Sequence, residues 1–171
     1  LAFTASGRMS RPVPEGTLNG TPVRIDTYVQ RSGNSSTTYT RYRARYPSLG
    51  VSLRLSREGT FAAITRLFGA QDVATGDQLF DDAFTVKTSD PARLRSILTP
   101  SVRAGLLRLL ASYSSARIGD DQIQVVRRGF ERRPDVIKST IQRIAATARL
   151  LESPDAGISD DMVIDREQGM L

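Results

Sequence analysis

The sequence predicts an α+β fold in which an antiparallel β-sheet packs against two or three helices, with a long helix near the C-terminus. Three observations carry this expectation. From Thr38 to Tyr46 the chain alternates, with Tyr42, Ala44 and Tyr46 on one side and Arg41, Arg43 and Arg45 on the other. Such patterning belongs to an antiparallel sheet with one wet face and argues against a parallel doubly wound sheet. Between Pro134 and Glu152, Ile137, Ile141, Ile144, Ala148 and Leu151 recur at helical spacing. Finally, Asn19-Gly20 and Gly119-Asp120-Asp121 sit between short apolar runs, where they read as hairpin turns.

The elements follow in order. Residues 1–15, with Pro12 and Pro14, read as an extended arm ahead of a single domain over 16–153, and 154–171 as an acidic tail. Asn19-Gly20 predicts a type I′ hairpin, because both residues accept positive φ at low cost. Residues 31–36 read as a polar loop. After a Pro47 to Gly50 turn, Val51, Leu53 and Leu55 continue the apolar side of the 38–46 strand while Ser52, Arg54 and Ser56 face away, so the two segments are expected to pair. Phe61, Ile64, Leu67 and Phe68 suit a short helix ending at Gly69. Asp77 is placed to cap a turn carrying Leu79 and Phe80, and Phe84 and Val86 alternate as a strand. Asp90-Pro91 and Thr99-Pro100 each join an N-cap to a proline at the first helical position, predicting two consecutive helices. A strand over Gln122 to Arg127 and the helix from Pro134 follow, and the apolar cluster Met162-Val163-Ile164 in the tail is expected to dock or to pair as an edge strand.

Composition excludes much chemistry. In 171 residues there is no Cys, no His and no Trp. Thiolate metal sites, disulfides, imidazole bases and the usual acyl-transfer triad are therefore absent. Neither a Gly-rich phosphate loop nor a nucleophile elbow occurs, no cofactor is implied, and an enzymatic role has little to stand on. No stretch is long and apolar enough for a membrane span, so any anchor is expected outside this chain. The chain is basic, at +6, and only Lys87 and Lys138 of its 24 cations are lysine. That skew fits a high-GC codon supply as well as guanidinium chemistry. Charge is also segregated: residues 71–90 carry −4 and 150–171 carry −5, against +7 over 1–70 and +8 over 91–149. Such a split can steer an anionic partner or let the tail fold back on the basic face.

Two constellations remain. Arg41, Arg43, Arg45 and Arg54 form a basic sheet face that could bind nucleic-acid phosphates or lipid head groups. The interleaved tyrosines Tyr42 and Tyr46 point the other way, so no stacking platform is expected there. Asp77, Asp81 and Asp82, with Asp72 nearby, are the one cluster able to hold a hard cation or run carboxylate acid/base work. They lack the EF-hand ladder, and since caps and turns use Asp routinely, the plainer reading has Asp77 capping a helical turn and Asp81 and Asp82 pairing with nearby arginines.

The order Gly16-x-x-x-Gly20, Thr40-Arg41-Tyr42, Gly76-Asp77-x-x-Phe80-Asp81-x-x-Phe84-x-Val86 and Leu98-Thr99-Pro100 resembles a family of uncharacterised bacterial proteins. The likeness spans most of residues 16–150. It implies a bacterial α+β domain, cytoplasmic or membrane-associated, and carries over no catalytic residues. The expected role is a non-catalytic interaction or sensory module with a protein partner or an anionic surface. Alternatives are anionic-polymer binding through the arginine face and an Asp-cluster metal-dependent hydrolase.

Overall fold

Asn19 (φ 50°) and Gly20 (φ 84°) adopt the left-handed pair that a type I′ turn requires, and the flanking residues pair from Leu18 opposite Thr21 to Glu15 opposite Arg24. The computed structural model describes residues 3–6, 13–57 and 71–153. The expected helix at Phe61 to Phe68 and the acidic tail with Met162 to Ile164 lie outside them.

Within the described residues the strands are β1 (Phe3–Ser6), β2 (Val13–Leu18), β3 (Thr21–Ser32), β4 (Ser35–Arg45), β5 (Arg54–Arg57), β6 (Gln71–Asp72), β7 (Phe84–Thr88), β8 (Arg117–Ile118) and β9 (Gln122–Arg128). They join in one sheet in the order β1-β2-β3-β4-β9-β8-β5-β7-β6, with every pair antiparallel. The helices are α1 (Gln78–Ala83), α2 (Pro91–Ile97), α3 (Pro100–Ser112) and α4 (Pro134–Glu152). The architecture is thus α+β, with an antiparallel sheet and a long helix at Pro134–Glu152. No helix among the described residues is long and apolar enough to cross a membrane.

Three local expectations change. Residues 3–6 and 13–15, read as part of an extended arm, form with Gly16 an antiparallel pair at the sheet edge. The polar loop expected over 31–36 is a tight hairpin: Ser32 pairs with Ser35, and Gly33, at φ 55°, takes the first central position, where a type II′ turn places glycine. The expected pairing of 38–46 with 51–56 does not occur, since β9 and β8 lie between β4 and β5. The reason is a contact remote in sequence. The amides of Gly50, Val51 and Leu53 donate to the Asp120 carboxylate in the β8–β9 turn, so they cannot join a ladder with β4.

The helix starts behave as their sequences require. Asp77 accepts the Phe80 amide, Asp90 the Arg93 amide and Thr99 the Val102 amide, and each such cap contributes about 1 kcal/mol. For α4, Pro134 takes N1 while the N-cap Arg133 makes no side-chain cap. Instead Glu131 accepts the amides of Arg132 and Arg133, both at 3.1 Å. Helix α4 packs on β3, β4, β9 and α3. It buries Ile141, Ile144, Ala148 and Leu151 against a core that holds Tyr42, Ala44, Ile123 and Val125. Each large aliphatic side chain buried this way stabilises the fold by roughly 1.5–3 kcal/mol. One sheet face is therefore committed to the helices, and strand alternation turns the other face of β3, β4 and β9 away from them.

Candidate anion-binding face

The pairing of β3, β4, β9 and β8 arranges this outer face into cross-strand rows. Arg24 lies opposite Arg43, which lies opposite Gln124, which lies opposite Arg117. The next row holds Asp26, Arg41 and Val126, and the one after it Tyr28, Tyr39 and Arg128. On the other side of the Arg43 row, Arg45 pairs with Gln122. The structure thus brings Arg41, Arg43 and Arg45 together as the sequence suggested. Arg54 is separate: its strand is three positions from β4, about 14 Å at ordinary strand spacing.

Like charges directly opposite destabilise a sheet, and carboxylates within the face relieve this. Arg41 forks onto Asp26, with Nε 2.9 Å from Oδ1 and Nη2 on Oδ2, and Arg43 Nη2 reaches the same Oδ2 at 3.0 Å. Arg24 pairs with Glu15 at 2.8 Å and Arg45 with Asp121 at 3.2 Å. Burial works against the Asp26 charge, but the Arg41 hydrogen bond and the charges of Arg43, Arg41 and Arg24 outweigh it and hold the carboxyl below its usual range. The Asp26 hydrogen bond raises Arg41. Arg43 is lowered, chiefly by burial and despite Asp26, so its charge is incompletely compensated. Six guanidiniums, those of Arg24, Arg41, Arg43, Arg45, Arg117 and Arg128, face three carboxylates, leaving a positive excess.

Aromatic groups share this face, contrary to the sequence expectation. Tyr42 and Tyr46 do point into the core, but Tyr28 and Tyr39 stand among the arginines. Their rings stack at 5.4 Å between centroids and 20° between planes, and the Arg41 guanidinium lies 5.2 Å over the Tyr28 ring. Tyr39 was legible, since it precedes Arg41 by two residues on the same strand. Tyr28 needed the hairpin register, which the supposed loop at 31–36 concealed.

The acidic cluster does not assemble. Asp77 caps α1 and holds Arg103 Nε at 2.9 Å. Asp81 accepts the Thr75 amide at 2.9 Å, the Thr75 hydroxyl at 2.7 Å and the Gly76 amide at 3.1 Å. Those bonds outweigh the cost of burial and lower its carboxyl. Asp82 lines a groove with Arg57, Leu107 and Leu110. Among the described residues no three acidic side chains come together as a metal site.

Residues of the recognised sequence motifs fill structural positions. Gly20 turns the first hairpin, Tyr42, Phe80, Phe84 and Val86 are core, and Asp77 and Thr99 are helix caps. No protein-family model matches the chain, and no curated protein or solved structure matches it.

Proposed function

We propose that this protein is a non-catalytic binding module whose outer sheet face takes a single-stranded nucleic acid. The observation that carries this reading is the stacked Tyr28–Tyr39 pair standing in register with the arginine rows. Guanidiniums bind phosphates in a sequence-independent way, and aromatic faces add about 1–3 kcal/mol per stacked base. Gln124, between Arg43 and Arg117, and Gln122, beside Arg45, supply amide donors and acceptors suited to base edges. A lipid surface would use the cations and could seat tyrosine rings at its head-group level, but it has no base edges for the two glutamines, which favours the polynucleotide.

The test is fluorescence anisotropy of labelled single-stranded DNA and RNA at low salt, beside co-sedimentation with phosphatidylglycerol vesicles. Joint replacement Tyr28→Ala and Tyr39→Ala is expected to weaken strand binding about tenfold or more while leaving its salt dependence unchanged. Replacing Arg45 by Gln should reduce the salt slope by about one unit. Absence of strand binding at low salt, vesicle binding alone, or indifference to loss of both rings would each overturn the reading.

A further inference from the structure

At one end of this face, where the Asn19-Gly20 hairpin meets β4 and β9, lies a cleft of about 270 Å³ lined by Glu15, Gly16, Arg24, Arg43, Arg45 and Gln122. We infer that this cleft seats one compact phosphate group of the monoester class, as at the end of a strand, separate from the diester phosphates along the open rows. The polymer attached to that phosphate rests on the open-face reading. The phosphate contact itself does not.

Donor geometry carries the inference. A guanidinium offers five N–H groups, and the acids of this face engage only part of each fork. Glu15 takes Nη1 of Arg24, Asp26 takes Nη2 of Arg43, and Asp121 takes Nη2 of Arg45. The Nε atoms of Arg24 and Arg43 are buried and have no hydrogen-bond partner. An orphaned buried donor on a charged group is costly, and an acceptor absent from the structure, such as a bound ion, is one explanation for it. Here two of them belong to residues directly opposite one another on adjacent strands, with Cβ atoms about 5 Å apart. A single tetrahedral oxyanion seated in the cleft, over this pair on the outer face, would accept from both.

Donors, not net charge, select the ligand class. Glu15 in the lining, and Asp26 and Asp121 bound to Arg43 and Arg45 beside it, compensate the net charge of the three guanidiniums. The ligand class follows from the N–H groups these acids leave unengaged: the three terminal oxygens of a phosphate monoester accept more of them than the two of a diester. Glu15 is the unfavourable group toward an anion. Its 2.8 Å bond to Arg24 Nη1 also orients that guanidinium, leaving the Nε edge for the ligand.

The first arm of the test is NMR of the arginine Nε–H resonances in the intact protein titrated with inorganic phosphate. Saturable shifts at Arg24 and Arg43, with Arg54 unmoved, are expected; unmoved Arg24 and Arg43 resonances would overturn the cleft site even if oligonucleotides bind. In the second arm, a 5′-phosphorylated oligonucleotide should bind about tenfold tighter than its 5′-hydroxyl counterpart, and Arg24→Gln should reduce that preference to about twofold or less. Phosphate shifts without any oligonucleotide binding would sink the open-face reading and leave the cleft standing. Vesicles containing phosphatidic acid form the third arm, and their capture in preference to the phosphorylated strand would overturn the nucleic-acid source of the phosphate.

Discussion

The Asp120 carboxylate accepts the backbone amide of Val51 at 3.0 Å, although 69 residues separate them. The same group takes the amides of Leu53 and Gly50, both at 3.1 Å, and the Ser48 hydroxyl. It therefore does for the segment after β4 what a neighbouring strand would otherwise do. Asp120→Ala is expected to cost about 2–4 kcal/mol, and Asp120→Asn, which keeps one acceptor oxygen, about half as much. Burial opposes its charge, yet the Ser48 hydroxyl and the three amides outweigh this, and the carboxyl titrates below 3.8. A depressed folded pKa means the contribution is full above the unfolded value and fades as pH falls below it. Urea unfolding at several pH values should show a flatter acid limb for Asp120→Asn than for the wild type; parallel limbs would refute the role.

How much of this was legible follows from which interactions are local. Caps at Asp77, Asp90 and Thr99 and the helix at Pro134–Glu152 depend on residues within a few positions, and the sequence pattern located them. Strand neighbours depend on remote partners. The placement of β9 and β8 between β4 and β5 rests on the Asp120 contacts and on register, neither of which leaves a periodic trace. The arginine face was half-readable for the same reason. Arg41, Arg43 and Arg45 sit on one strand, whereas Arg24, Asp26, Tyr28 and Arg128 join them only through pairing.

Tyr42 is fully buried in the core, and its hydroxyl has no hydrogen-bond partner. Burial, with the Glu131 charge second, raises the phenol pKa, so the group stays neutral across the physiological range. An unpaired buried hydroxyl carries a desolvation penalty that phenylalanine lacks at nearly the same volume. Tyr42→Phe should therefore raise the stability by about 1 kcal/mol in chemical denaturation. A loss of that size would instead reveal a partner for the hydroxyl.

Gly105 lies buried in α3, where a Cβ would come within 2.4 Å of Leu150 Cδ1 on α4. Alanine would gain about 1 kcal/mol of helix propensity, but the Leu150 side chain would have to leave its rotamer, at about 0.5–1.5 kcal/mol. The two effects should nearly cancel in Gly105→Ala alone. In a Leu150→Ala background the propensity gain should appear nearly whole. A double-mutant cycle measures this directly, and a coupling near zero would show that the helices do not meet through this pair.

Asp26 tests whether the outer face is tuned for binding or merely for folding. Its side chain is 12% exposed and engages both Arg41 and Arg43, so removing the charge leaves two partly buried guanidiniums undercompensated. Asp26→Asn should cost about 1–2 kcal/mol, between the values for exposed and buried pairs. Because the folded carboxyl is depressed, the wild type should lose this margin as pH falls below its unfolded pKa of 3.8, and the variant should not. Binding should move the opposite way. A unit negative charge about 6 Å from a bound phosphate opposes it by about 0.7 kcal/mol in water, so its removal should tighten strand binding about threefold. Opposite signs for stability and affinity are what a face whose acids restrain its arginines must give. Weaker binding in a folded Asp26→Asn protein would show instead that Asp26 holds Arg41 and Arg43 in the geometry the ligand needs.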